Sequence, residues 1–448
     1  MAHHLPFDYR SSDDLHHAAR DLGYELPLQD DLTPLFRPLE IGGRSCPNRL
    51  AVHPMEGADA SSKGTPGELT FRRYFRFASG GSGLIWFEAT AVTGEGRSNP
   101  QQLMLTSDNR GSFQDLVEKT RAAARSGFGE KHEIFCVLQL THSGRYSRPA
   151  GKPRPKTSCA NPYLDTALKG VTVLSDEDLD FLQDDFVEAA RLAYTAGFDA
   201  VDIKSCHGYL VNDLLAGYSR EHSRYGSGFE NRTRFLTEVA SRIRAEIPRL
   251  MVTSRLSAFD GIPFPYGFGF TKDSPRDIDL AELRALIRKL HMLGGHFFSV
   301  SAGNPRITAH MTRPFDRPLP GADLPEEHPL AGVMRLQSLT ASMQRDFPDV
   351  PFIGTGYSWL RQFFPLVAAA VLERGEASLI GLGRSAFAYP EAPRDLMESG
   401  KLNPSKACLT CSKCSELLRG GLHTGCVVRD AETYVPEYRK LGRRAGDT

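Results

Sequence analysis

The stretch SDEDLDFLQDDFVEAARLAYTAGFDAVDI (residues 175–203) holds one whole helix and one whole strand, each with its own punctuation. Ser175 followed by Asp178 is an N-cap pattern, in which a hydroxyl and a carboxylate satisfy the first free backbone N–H groups. Leu182, Phe186, Ala189, Ala190 and Ala193 recur at helical spacing and form one apolar stripe, so the spacing predicts a helix over 176–196. Gly197 ends it, since glycine enters the left-handed conformation that closes a helix without steric cost. The apolar run that follows, 200–203, reads as a short buried strand.

The same alternation runs along the chain. Strand-like segments at 49–55, 83–92, 134–140, 200–203, 251–257, 296–302, 351–356 and 378–384 make eight, mostly unalternated apolar runs as expected of strands covered on both faces. Helices predicted over 230–245 and 278–293 precede the fifth and sixth. Eight strand–helix alternations predict an α/β fold, a (β/α)8 TIM barrel, with an open doubly wound sheet as the alternative. The long insertions 143–174, 258–276 and 303–329 each follow a strand, which puts them at the carboxyl-end face where barrels build active sites. The first carries Arg145, Arg148, Lys152, Arg154 and Lys156, a set that suits an anionic substrate or a partner protein, or else a solvated loop.

The chain has 448 residues and 40% hydrophobic content, enough for one barrel-sized core with appendages. We expect an N-terminal extension (1–35) with one short helix near 12–22, the barrel (36–395) and a C-terminal segment (396–448). Basic and acidic residues balance at 54 each, which argues against a nucleic-acid footprint. No apolar run is long enough for a membrane span. The start MAHHLPFDYR lacks a signal pattern, so a reduced, cytoplasmic compartment is expected.

Cys408, Cys411 and Cys414, at two-residue gaps, are followed by Cys426. Such a turn can wrap three corners of a 4Fe-4S cluster and leave the fourth to a more distant thiol. The rival is structural zinc, which usually takes two separated Cys-x2-Cys pairs. Of the remaining cysteines, Cys136 reads as a small core residue, and Cys46 and Cys159 fall in Pro-flanked loops with no readable role.

The segments His207-Gly208-Tyr209-Leu210, Tyr225-Gly226-Ser227, Glu230-Asn231-Arg232, LQLTHSGRYSRP (138–149) and NRLAVHPM (48–55) resemble the old yellow enzyme superfamily. With the cysteine run, the subgroup most similar is that of iron–sulfur flavoproteins such as 2,4-dienoyl-CoA reductase and trimethylamine dehydrogenase. The resemblance implies FMN at the carboxyl-end face. Pro54 and Met55 would line the flavin, Ala89 would lie near its ring, and Gln139 would bond its pyrimidine edge. Arg255 would sit by the flavin's N1, and the turns at Gly356, Tyr357, Gly383 and Arg384 would cradle the phosphate. It also implies His207 and Tyr209 above the flavin, Tyr209 as the proton donor. Lys204 and Glu56 depart from the family pattern. Lys204, Asn304 and His310 are candidates for the substrate side, and Lys204 could pair with Asp202 or bind a carboxylate.

The expected function is an FMN and 4Fe-4S ene-reductase that reduces an activated C=C bond, with electrons supplied through the cluster by a separate ferredoxin or flavoprotein reductase. Alternatives are substrate oxidation of the amine dehydrogenase or demethylase type, a non-catalytic electron-transfer subunit, and a zinc-stapled barrel hydrolase. No GxGxxG follows the cysteines, so no second nucleotide site is expected. The partners expected are a small molecule and that redox protein, with homo-oligomerisation left open.

Overall fold

Strand β8 (Leu379–Leu382) returns to β1 (Leu50–Val52), with Ile380 beside Leu50 and Leu382 beside Val52, and this pairing closes a barrel. The computed structural model describes residues 3–445 apart from Ala167, Lys169, Pro275 and Arg276; the outer ends of the predicted terminal segments and the end of the 258–276 insertion lie outside the described residues. Between the closing strands run β2 (Leu84–Ala91), β3 (Phe135–Thr141), β4 (Ala200–Ile203), β5 (Met251–Ser257), β6 (Gly295–Ser301) and β7 (Phe352–Gly354), all parallel. The crossover helices are α1 (Glu68–Ser79), α2 (Arg110–Phe128), α3 (Asp176–Thr195), α4 (Phe229–Glu246), α5 (Ala281–Met292), α6 (Pro329–Asp346) and α7 (Phe364–Glu373), and α8 (Ala392–Ser399) follows β8. The fold is a (β/α)8 barrel. Closure excludes the open sheet.

The predicted cap of α3 forms: Asp178 N donates to Ser175 Oγ (3.0 Å) and Ser175 N to Asp178 Oδ2 (2.8 Å). Two predicted boundaries move. The strand read to 384 ends at Leu382, because the chain turns at Gly383 and Arg384 opens a short helix, Arg384–Ala388. The helix read from 278 begins at Ala281, whose N–H is taken by the Asp279 carboxylate (2.8 Å).

Period-two alternation decides what faces the barrel interior. Ala51, Leu84, Trp86, Phe135, Val137, Ala200, Phe297, Ile353 and Leu379 point inward and pack as one cluster. It is plugged from below by the antiparallel pair Leu39–Ile41 and Arg44–Cys46. Cys46, expected in a loop, is therefore a strand residue in the barrel floor. One step further along each strand the inward positions become polar: His53, Gln139, Asp202, Arg255, Ser301 and Thr355.

β2 breaks parity usefully. Its pairing with β3 shifts register between Phe87 and Thr90, and this bulge turns Glu88 outward and Ala89 inward. Glu88 is fastened to α1 and the loop before it. Its Oε1 accepts from Arg73 Nη2 (2.5 Å) and Tyr74 Oη (3.2 Å), and its Oε2 accepts from Gly57 N (2.7 Å). Arg73 also binds Asp59 (3.1 Å).

Arg145, expected toward the rim or solvent, is neither. Its side chain is fully buried, with Asp213 (3.1 Å) and Asp165 as ion partners and Thr157 as a third contact. The carboxylates come from the same insertion and from the short helix after β4, so this arginine pins the insertion down. Beyond the barrel, α9 (Lys413–Arg419) and α10 (Ala431–Ala445) form a small cluster around Leu417, Leu422, Val427 and Tyr434. Asp430 holds this segment to α1 through Arg72 (2.7 and 2.9 Å) and Arg76 (2.6 Å).

Arg73→Met leaves two buried carboxylates without their cation, and a lost partner of this kind costs about 3–5 kcal/mol. Urea titration is expected to show the midpoint lowered by that free energy divided by the slope, with the slope itself unchanged.

Candidate active site

A cavity of about 290 Å³ opens at the carboxyl ends of the strands. Pro54, Met55, Ala89, Gln139, Lys204, His207, Tyr209, Arg255, Gly356, Gly383 and Arg384 all lie on its wall. Three sequence candidates do not. Tyr357 is buried, and its hydroxyl packs where a Cβ on Gly354 would stand only 2.8 Å away. Asn304 is buried behind the wall, with its Nδ2 2.7 Å from the Tyr146 hydroxyl. His310 sits on the short helix Ala309–Thr312, off the wall.

Asp202 organises the floor. Its Oδ2 accepts from Gln139 Nε2 (2.5 Å) and its Oδ1 from Arg255 N (2.8 Å). With its amide nitrogen so engaged, Gln139 has its carbonyl free to accept from whatever fills the cavity. Burial pushes the Asp202 carboxyl up to about 6, against those hydrogen bonds and the charges of Arg255 and Lys204. Arg255 Nε, Thr355 Oγ1 and Arg384 Nη1 are buried donors without a partner among the described residues. Unsatisfied buried donors are costly, so three on or beside one cavity mark where a ligand's acceptors belong. Gly381 is required here, because a Cβ would overlap the His53 ring, whose Nε2 lies 3.3 Å from Gly354 O.

One wall carries a polar cluster that follows from the two departures seen in the sequence. Tyr209 Oη donates to Glu56 Oε1 (2.6 Å), and Ser98 Oγ donates to Glu56 Oε2 (2.7 Å). Lys204 Nζ lies 3.4 Å above the Tyr209 ring centre and 3.9 Å from Glu56. Lys204 thus pairs with Glu56 rather than Asp202. Burial and then the Glu56 charge push the Tyr209 phenol well above its ordinary range. Burial pulls the Lys204 ammonium down, opposed by Glu56. His207, in the left-handed region at φ 66°, binds Ser301 Oγ through Nε2 (2.8 Å). Burial, then Arg255 and Lys204, hold it well below its usual value, hence neutral.

Cys408, Cys411, Cys414 and Cys426 line a second, small void of about 20 Å³. Arg384, Phe387 and Cys414 line both spaces, so the two share a wall. Thr410 and Ser412, between the cysteines, stand at φ 48° and 62°, a conformation that strains non-glycine residues. Backbone N–H groups face two of the sulfurs: Thr410 N to Cys408 (3.4 Å) and Arg429 N to Cys426 (3.3 Å). Among the described residues no three His, Cys, Asp or Glu side chains gather closely enough to hold a single metal ion.

The pattern of the NADH:flavin oxidoreductase / NADH oxidase family matches residues 34–266, more than half of the chain. The chain belongs to that family. It is an oxidoreductase of the old yellow enzyme type, and FMN is the family's flavin. An NADH:flavin oxidoreductase of Gibberella zeae is 29% identical over 322 residues, covering 64% of this chain and 73% of that one. An NADPH dehydrogenase of Bacillus pumilus is 35% identical over 216 residues, 47% of this chain and 60% of its own length. A solved 2-naphthoyl-CoA reductase in complex with 2-naphthoyl-CoA shares the fold at TM-score 0.70 and 19% identity, over 89% of this chain and 57% of that one. The chain thus spans less than two thirds of the length of two of these three proteins. None of its described helices is long and apolar enough to cross a membrane.

Cavity residues that sequence reasoning missed include Tyr146, Arg306, Arg313, Thr355 and Arg419, and it also missed Ser98, which holds Glu56. Tyr146 stands inside the quoted LQLTHSGRYSRP segment, which could have flagged it. The arginines lie in irregular loops or at a helix end, where no periodicity marks them.

His142, beside the cavity, is pulled down to about 3 by burial and then by Lys156, while His53 and His207 are also held low. All three are neutral when folded, whereas the unfolded chain binds protons below about pH 6.5. The contribution of these three histidines to stability is therefore full above pH 6.5 and falls as pH drops below it. His142→Gln, which keeps an acceptor for Gly144 N, is expected to remove about 1.4 kcal/mol per pH unit of that slope, read by denaturation at pH 7, 6 and 5.

Proposed function

We propose that this chain reduces an activated C=C bond, using FMN in the large cavity, a 4Fe-4S cluster at Cys408, Cys411, Cys414 and Cys426, and Tyr209 as the proton donor. The shared wall of Arg384, Phe387 and Cys414 is the observation that carries it, because a flavin in the cavity and a cluster at the cysteines would then stand side by side. The donors fit a flavin mononucleotide. Gln139 and Arg255 would meet the ring, and Thr355, Gly356, Gly383 and Arg384 the phosphate, where partnerless donors already wait. FMN when bound supplies a hydride. The cysteine void fits a cubane better than zinc, since each corner iron takes one thiolate and the four sulfurs need not meet at one ion. Such a cluster supplies single electrons, and a separate one-electron donor protein belongs to this reading. A reductase solved with 2-naphthoyl-CoA supports a conjugated acceptor.

The chain's own groups then handle the proton. Tyr209 Oη gives it to one carbon of the double bond. Glu56 and Ser98 hold the phenol in place, and Lys204, over its ring, steadies the charge left behind. Neutral His207 offers a hydrogen bond to a substrate carbonyl. The Tyr209–Glu56 bond also favours a second reading, substrate oxidation, in which Glu56 takes the phenolic proton as the oxygen accepts one from an amine.

Anaerobically purified protein is expected to carry one acid-released flavin and roughly four irons per chain. Cys411→Ser should lose the iron and keep the flavin. Tyr209→Phe should lower enone reduction about 10²–10⁴-fold with flavin content unchanged. Colourless, folded protein would sink the proposal, and turnover only with an amine and a dye acceptor would transfer it to the second reading.

A further inference from the structure

The cavity wall holds six cations, Lys204, Arg255, Arg306, Arg313, Arg384 and Arg419, against one carboxylate, Glu56. Glu56 answers Lys204, and the Asp202 charge acts on Arg255 from the floor. On the flavin reading above, a phosphate dianion answers Arg384 and the neighbouring Arg313. Arg306 and Arg419 then remain. Neither has an ion-pair partner among the described residues.

They are fixed together. Arg419 Nη2 at the end of α9 donates to Pro305 O (2.7 Å), the residue next to Arg306. The Arg306 guanidinium lies 5.0 Å from the centre of the Tyr146 ring, which stands 6.1 Å from that of Tyr209. The Arg306 charge also depresses Arg419 and Arg148, in each case after burial. A wall of uncompensated like charge at the mouth of a low-dielectric cleft concentrates anions there.

We infer that Arg306 and Arg419 form an oxyanion site for the substrate, so that this enzyme takes an unsaturated compound bearing a carboxylate or phosphate. The inference rests on the flavin reading for its accounting of the phosphate, and deepens it by naming the substrate class.

Calorimetric titration of the oxidised holoenzyme, without electron donor, tests it with trans-cinnamate, its neutral methyl ester and phenyl phosphate. Cinnamate is expected to bind roughly tenfold tighter than the ester, an advantage that shrinks as NaCl is raised. Arg306→Gln/Arg419→Gln should erase that advantage and leave ester affinity within about twofold. Phenyl phosphate binding above cinnamate assigns the site to phosphate; binding between cinnamate and the ester assigns it to carboxylate. An ester that binds as tightly as the acid, a preference that survives the double variant, or one insensitive to salt overturns the inference, and the salt series decides even where the double variant fails to fold. No turnover is read, so a failure to reduce any double bond would sink the reductase proposal and leave this site standing.

Discussion

A single buried carboxylate, Asp202, ties together the strands that carry the chemistry. It stands on β4 and accepts from a side chain on β3 and a backbone amide on β5, so Gln139 and Arg255 are held at one height in the barrel. Without its hydrogen bonds the group would be expensive to keep there, and with them it converts register into geometry. The polar layer above depends on that level. His53 and Thr355 come directly after their strands, Ser301 ends its own, and His207 is seated by Ser301. A barrel interior filled by alternating side chains leaves no room for adjustment, which is why Gly381 cannot carry a Cβ beside His53.

Much of the fold was legible because its causes are local. Capping at Ser175, stripes at helical spacing and eight unalternated strands each leave a mark on the sequence, and barrel closure follows from their number and order. The misplacements are also local. The strand read to 384 stopped two residues early because Gly383 turns, which apolar character does not reveal. Arg145 looked like a solvated cation because nothing nearby announces that Asp165 and Asp213 will close around it. The site was legible where it rests on motif: residues 54–55, 139, 207, 209, 255 and 383–384 all reach the cavity. Tyr357 did not, because its side chain turns into the core against Gly354.

What stayed hidden is pairwise. Glu56 and Lys204 stood out singly as departures, but only the fold shows that they face each other across the Tyr209 hydroxyl, and that Ser98, from the loop after β2, completes the group. Ala89 reaches the cavity only because a bulge reverses parity, and the bulge in turn is fastened by Arg73 on α1. Such long-range fastenings leave no period in the sequence.

One side of the cavity is supplied by residues between 414 and 424, which a ribosome makes after every strand of the barrel. The cavity therefore cannot close when the barrel itself is finished. It stays an open bowl until the cysteine segment docks and Asp430 fastens onto α1. The cavity is thus a composite of two parts of the chain, and a change that undocks the cysteine segment opens one side of it to solvent.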